Sequence, residues 1–68
     1  MANDERLAMV EKGSMEIAEA CRFSGLGRTF LYMAMDRGEL RYLKRGKRRL
    51  IPVIELQRFL ADGLVTAK

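Results

Sequence analysis

The spacing of apolar and polar residues in the first half of the chain predicts two short helices joined by a tight turn. The first helix is expected at about residues 15–22, with Ser14 as its N-cap. The second is expected at about residues 28–37, with Gly38 as a C-terminal cap glycine. In the break between them, Gly25 is expected to supply a positive φ. The apolar residues that define the inner faces are Ile17, Ala18, Cys21, Leu31, Ala34 and Met35. Two helices joined in this way form a helix-turn-helix.

A change of period after the second helix predicts a β-hairpin over residues 40–51. Gly46-Lys47 is expected to form its turn, because two residues with glycine first are typical of type II′. Alternation places on one face Leu43, Arg45, Arg49 and Ile51, and on the other Tyr42, Lys44, Arg48 and Leu50.

A third helix is expected at about residues 53–61, because an apolar stripe with helical spacing follows the hairpin. Pro52 suits the opening of this helix, and Gly63 is able to end it. The stripe consists of Val53, Leu56, Phe59 and Leu60. The predicted fold is therefore mainly α with a small β-hairpin, in the order helix, helix, hairpin, helix.

A length of 68 residues allows at most one small domain, which we expect at residues 14–63. Residues 1–13 have weak periodicity and are expected to form a flexible arm or a frayed helix, and residues 64–68 a C-terminal tail. The chain has no His and one Cys, Cys21, which excludes an internal disulfide framework and a Cys/His metal site. Cys21 is expected to be a small buried apolar residue, and no cofactor is expected.

The same composition bears on location and on catalysis. No apolar run approaches the roughly 18 residues of a membrane span, and the N-terminus lacks the apolar region of a secretory signal. We therefore expect a cytoplasmic protein, with no membrane partner. With no His and no nucleophile beside a base, the chain has no catalytic constellation, and we do not expect an enzyme.

The net charge of +4 is concentrated in one segment of the chain. Residues 37–49 contain seven cations and one acid, a net charge of +6, whereas residues 1–36 have a net charge of −2 and residues 50–68 of zero. A patch focused in this way predicts a polyanionic partner. The alternative is a solvated turn that keeps an exposed hairpin soluble. Phosphate binding is the better explanation, because positions 44–49 contain no acid to balance their charge.

The order and spacing of these motifs resemble the small winged helix-turn-helix domains of phage excisionases and the related MerR-like DNA-binding domains. The resemblance covers residues 14–60, or 47 of 68. It rests on S-x-x-x-A at 14–18, GLGRT-x-LY at 25–32, RGEL at 37–40, and KRGKRRLIP leading into LQRFL at 44–60. It implies that the second helix lies in the major groove of DNA and that the hairpin forms a wing along the neighbouring minor groove.

The resemblance also implies which residues contact DNA. Arg28 is expected to pair with a guanine edge, whereas Thr29 and Tyr32 are expected to reach phosphates. Arg37 is the cation at the helix end, and the basic hairpin supplies the wing. The complete set of expected DNA-binding residues is Arg28, Thr29, Tyr32, Arg37, Lys44, Arg45, Lys47, Arg48 and Arg49.

The sequence departs from the family pattern at four positions. Gly27 stands where Ser or Thr usually caps the recognition helix, which is expected to loosen this end by a few tenths to about 1 kcal/mol. Phe30 replaces a small polar residue and places an apolar ring near the groove-facing side. Arg45 and Arg49 occupy hairpin positions that are usually apolar. Either the register differs there, or their stems cover the core while the guanidinium groups reach out.

Three functional hypotheses follow. The first is an excisionase, which binds repeated sites in nucleoid DNA, bends them, associates cooperatively with its own copies and assists an integrase of the tyrosine recombinase class. It is favoured because only residues 64–68 follow the third predicted helix, which leaves no effector domain and no expected small-molecule ligand. The second is a transcriptional regulator of the same fold. The third is an RNA-binding or protein-interaction module, which is disfavoured because Tyr42 is the only aromatic residue of the hairpin.

Overall fold

The structure is a computed structural model that describes residues 4–65, with side chains described from residue 6. Within this range it contains four helices and a three-stranded antiparallel sheet. The elements in chain order are α1 Asp4–Val10, β1 Ser14–Glu16, α2 Ile17–Ser24, α3 Arg28–Asp36, β2 Leu43–Arg45, β3 Arg48–Pro52 and α4 Val53–Asp62. The mainly helical class with a small hairpin is confirmed. The outer parts of the expected arm and tail, residues 1–3 and 66–68, lie outside the described residues.

The first predicted helix begins two residues later than expected, because residues 14–16 form a strand. Ser14 is therefore not an N-cap, and it pairs with Pro52 in the antiparallel ladder between β1 and β3. The next residue, Met15, is 6% exposed and lies opposite the fully buried Ile51. Burying Met15 against the sheet outweighs the local capping preference of Ser14. Glu16 stands at the N-cap of α2 and makes no side-chain capping hydrogen bond.

The turn between α2 and α3 is held by hydrogen bonds of its own residues. Gly25 has a φ of 78°, and its N–H donates to the Cys21 carbonyl over 2.8 Å. The Ser24 hydroxyl donates to the Ala20 carbonyl over 2.7 Å and accepts from the Leu26 N–H over 3.1 Å. These hydrogen bonds satisfy main-chain groups that the end of α2 leaves without partners. The turn therefore sets the direction in which the chain enters α3.

Helix α3 begins at the predicted residue and ends at Asp36, just before the predicted cap glycine. Gly27 is its N-cap, without a side-chain hydrogen bond, as expected for glycine. At the other end Gly38 has a φ of 78°, and the Glu39 N–H donates to the Ala34 carbonyl over 2.9 Å. This is the hydrogen bond of a Schellman motif, which turns the chain sharply away from α3 and towards β2.

Strands β2 and β3 form the predicted hairpin around Gly46-Lys47. Gly46 has a φ of 60°, and no non-glycine residue in the described range has a positive φ. A positive φ at the first turn residue alone distinguishes type II′ from type I′, so the predicted turn type is confirmed. The sheet order β1-β3-β2 places β3 in the centre.

The expected assignment of hairpin faces is wrong. Arg45 lies opposite Arg48, and Lys44 lies opposite Arg49. Opposite residues of an antiparallel pair point to the same face, so Arg45 shares a face with Arg48 and not with Arg49. Across a two-residue turn, an odd-numbered residue of one strand lies opposite an even-numbered residue of the other. Alternation counted straight through the turn therefore assigns the second strand to the wrong face. Arg49 does share the face of the buried Ile51.

The core lies between the sheet and helices α2, α3 and α4. Helix α1 contacts α4 from outside this arrangement. The N-terminus of α4 is fixed to the segment before β1, because the Val53 N–H donates to the Gly13 carbonyl over 2.9 Å. Cys21 is half-buried and packs at the core margin. The buried apolar residues are Met15, Ala20, Leu31, Ala34, Met35, Leu40, Ile51 and Leu56.

Candidate nucleic-acid interface

Helix α3 buries one side and exposes the side on which most of the predicted contacts lie. Leu31 is fully buried, whereas Arg28 and Thr29 in the first turn are exposed. Tyr32 is half-buried and packs against the core margin. Arg37, just beyond the helix, is exposed. Nine helical residues rise by about 13 Å, so Arg28 and Arg37 lie at opposite ends of α3 along its axis.

The exposed apolar residues of α3 differ in their surroundings. Phe30 is 54% exposed, and its ring lies 6.3 Å from that of Phe59 on α4, with a tilt of 59° between the planes. This geometry is that of an aromatic pair, which draws the ring towards α4. Met33 is 45% exposed.

The wing presents four exposed cations around its turn. Arg48 forms an ion pair with Glu16, which precedes α2. Both partners are more than half exposed, so the pair contributes little to stability and a stronger anion is able to replace the carboxylate. The four exposed cations are Lys44, Arg45, Lys47 and Arg48.

Arg49 is the wing cation with a different environment. Its guanidinium carbon lies 5.1 Å from the centroid of the Tyr32 ring and 4.9 Å from that of the Tyr42 ring. Its Nη1 atom is 3.8 Å from a carboxylate oxygen of Asp36 on α3. The basic wing and the exposed side of α3 are therefore adjacent. A cleft of about 260 Å³ separates them, lined by Glu16, Ile17, Tyr32, Lys47, Arg48 and Arg49.

A buried carboxylate fixes the segment that connects α3 to the wing. Glu55 in the first turn of α4 is 1% exposed and accepts a hydrogen bond from the Arg41 main-chain N–H over 3.1 Å. The guanidinium groups of Arg41 and Arg58 donate to the same carboxylate over 3.2 and 2.6 Å. Arg58 also donates to the Glu39 carbonyl over 3.0 Å. Helix α4 thus holds residues 39–41, from which the wing departs.

The ionisation of Glu55 reflects this network. Burial by itself would raise the pKa of Glu55, but the hydrogen bonds from Arg58 and Arg41 outweigh it and lower the pKa from 4.5 to about 2. The hydrogen bond to Glu55 in turn raises the pKa of Arg58 above its ordinary value. The sequence patterns alone do not predict this site. Its signal is that Glu55 lies four residues before Phe59, within the apolar stripe, where an acid needs a buried partner.

In the described part of the chain, no three His, Cys, Asp or Glu side chains converge to hold a metal ion. No helix within residues 4–65 is long and apolar enough to cross a membrane.

The helix pair α2–α3 together with the adjacent basic hairpin defines a winged helix-turn-helix. The sequence agrees with this class, since the family model described as a helix-turn-helix domain matches residues 14–63. The chain belongs to the helix-turn-helix domain family. Neither the curated proteins nor the solved structures include a significant match to it.

Proposed function

We propose that this protein binds double-stranded DNA sequence-specifically, with α3 in the major groove and the wing along the neighbouring minor groove. The observation that carries the proposal is the contact of Arg49 with Tyr32 and Tyr42, which makes the exposed side of α3 and the basic wing one continuous surface. Membership of the helix-turn-helix domain family supports the same partner. The protein acts by binding and not by catalysis.

The residues of this surface take different roles. Arg28, at the N-terminal end of α3, reads a guanine edge, and Thr29 and Tyr32 bind phosphates beside it. Arg37 and the four exposed wing cations neutralise phosphates on either side. About five such contacts give a dependence of log K on log salt with a slope of about −4 to −5. A gel-shift in which a DNA duplex competes with a single-stranded RNA of equal length tests which type of nucleic acid the protein binds. Preference for RNA would reject the proposal.

Within this activity we propose an excisionase role, in which the protein binds and bends attachment-site DNA in the cytoplasm and assists an integrase. The resemblance of residues 14–60 to phage excisionases supports this role. Cooperative contacts between copies on neighbouring sites, through the chain termini, would supplement the few contacts that one small domain makes. The alternative is a transcriptional regulator of the same fold, including the MerR-like type, that acts on a promoter.

Footprinting and gene deletion distinguish these two roles. An excisionase covers several tandem sites in the DNA beside the gene, whereas a regulator covers a single operator. If the protein is an excisionase, deleting its gene should abolish excision of the mobile element that carries the attachment sites and leave promoter activity close to normal. Normal excision in the deletion strain would reject the excisionase role and leave the DNA-binding proposal intact.

A further inference from the structure

Arg49 differs from the other wing cations because its guanidinium group interacts with side chains of the protein itself. The two rings that its guanidinium group contacts come from two elements: Tyr32 lies on α3, and Tyr42 lies just before β2. Both ring centroids lie within the roughly 6 Å over which a cation is attracted to an aromatic face. One planar side chain therefore connects the recognition helix to the root of the wing.

The electrostatic surroundings of Arg49 favour the same internal role. Its side chain is 30% exposed, compared with 67% for Arg48. Its Nη1 atom is buried and has no hydrogen-bond partner within residues 6–65, although the Asp36 carboxylate is 3.8 Å away. A guanidinium group that is flanked by two rings and faces an acid of α3 is poorly placed to bind a phosphate.

We infer that Arg49 is a positioning residue, which fixes the angle between the recognition helix and the wing, and that Tyr42 acts with it. This inference rests on the proposed function, because the angle affects affinity only if both elements bind one duplex. A flat cation suits contact with two aromatic faces at once, and a lysine ammonium on a flexible stem does not hold the same geometry. The role of Arg49 is therefore distinguishable from that of a phosphate contact.

The first test compares Arg49→Lys with Arg22→Lys, its matched control at an exposed arginine in the last turn of α2, outside the proposed DNA-binding surface. Both keep the charge, so a phosphate contact survives either change. We expect Arg49→Lys to weaken duplex binding about tenfold, in line with the loss of a desolvated cation–aromatic contact. Arg22→Lys should bind within about twofold of the wild type. Wild-type affinity for Arg49→Lys would overturn the inference.

The second test uses Tyr42, which lies outside the proposed DNA contacts. Tyr42→Phe keeps the ring and should bind like the wild type, whereas Tyr42→Leu should weaken binding as much as Arg49→Lys. The double variant Arg49→Lys/Tyr42→Leu should be no weaker than either single variant, because the two changes remove one contact. Additive losses, or full affinity for Tyr42→Leu, would contradict a shared role. If Arg49→Lys does not fold, the pair of Tyr42 variants decides the question.

A measurement on the free protein separates failure of this inference from failure of the proposed function. Proton–proton nuclear Overhauser effects between the Arg49 side chain and the rings of Tyr32 and Tyr42 are expected without DNA. If the wild type does not bind duplex DNA, the proposed function fails, and these effects still report whether the contact exists. A folded protein in which Arg49 shows effects to neither ring would overturn the inference.

Discussion

Replacing Glu55 by Gln is expected to destabilise the domain by about 2–4 kcal/mol at neutral pH. Glutamine has nearly the same shape, but it carries no charge, and its amide group cannot accept at both positions. The carboxylate of Glu55 is the shared acceptor for Arg41 and Arg58. Both arginine side chains are partly exposed, at 63% and 42%. Water therefore replaces some of the hydrogen bonds that their guanidinium groups lose when the carboxylate is removed. This keeps the expected value below the upper end for a fully buried ion pair.

The pKa of Glu55 gives an independent magnitude. A decrease from 4.5 to about 2 corresponds to about 3 kcal/mol of stabilisation. Because the pKa is lower in the folded state, this contribution is complete above about pH 4.5 and is lost as the pH falls towards 2. A domain of this length has a total stability of about 3–10 kcal/mol. Glu55 therefore contributes a large part of the stability of the domain, through the network that joins α4 to residues 39–41.

The assay is urea unfolding followed by far-ultraviolet circular dichroism at 25 °C, at pH 7 and in steps down to pH 2. The matched control is Glu19→Gln, which removes an exposed acid that makes no ion pair within the described residues. We expect the difference between wild type and Glu55→Gln to shrink as the pH falls, whereas the control stays near the wild type throughout. A variant within about 0.5 kcal/mol of the wild type at pH 7, or a pH-independent difference, would refute this reasoning.

Three further predictions concern the wing. Lys47→Ala/Arg48→Ala should weaken duplex binding and reduce the salt slope by about two, with an unchanged melting temperature; equal affinity at low salt would return the hairpin to a merely solvated turn. Glu16→Gln removes the ion-pair partner of Arg48 and should raise DNA affinity about twofold to fivefold in gel-shifts at low salt, whereas a loss would mean that the pair orients the wing. Gly46→Ala should cost about 1–2 kcal/mol in urea unfolding, because its φ of 60° disfavours a side chain, and a neutral effect would contradict the type II′ turn.

The elements that were predicted correctly are those determined by local signals. The end of α3 at Gly38 and the turn at Gly46 both follow from backbone angles that glycine adopts readily. The start of α2 was placed wrongly because two preferences compete at Ser14, and pairing with Pro52, distant in the sequence, prevails over capping. A three-residue strand has too short a pattern to reveal such a partner.

The candidate site was predictable as a set of residue types but not in its internal contacts. Sequence spacing indicated a basic hairpin after the second helix of a helix-turn-helix, and both elements are present. It did not indicate that Arg49 contacts both Tyr32 and Tyr42, because such contacts depend on how the sheet packs against α3. Glu55 was missed for a related reason. Its partner Arg41 lies fourteen residues earlier, and only the folded chain brings them together.

The most direct test of the central claim is a titration of the protein with a short duplex, followed by the backbone amide signals in NMR spectra at low salt. We expect the largest shifts in residues 28–37 and 43–49 together, whereas those of the exposed Gln57 on α4 and Glu19 on α2 should remain small. Shifts confined to other elements would contradict the claim that α3 and the wing form one DNA-binding surface. The absence of shifts would also contradict it, provided that other DNA-binding proteins bind the same duplex nonspecifically.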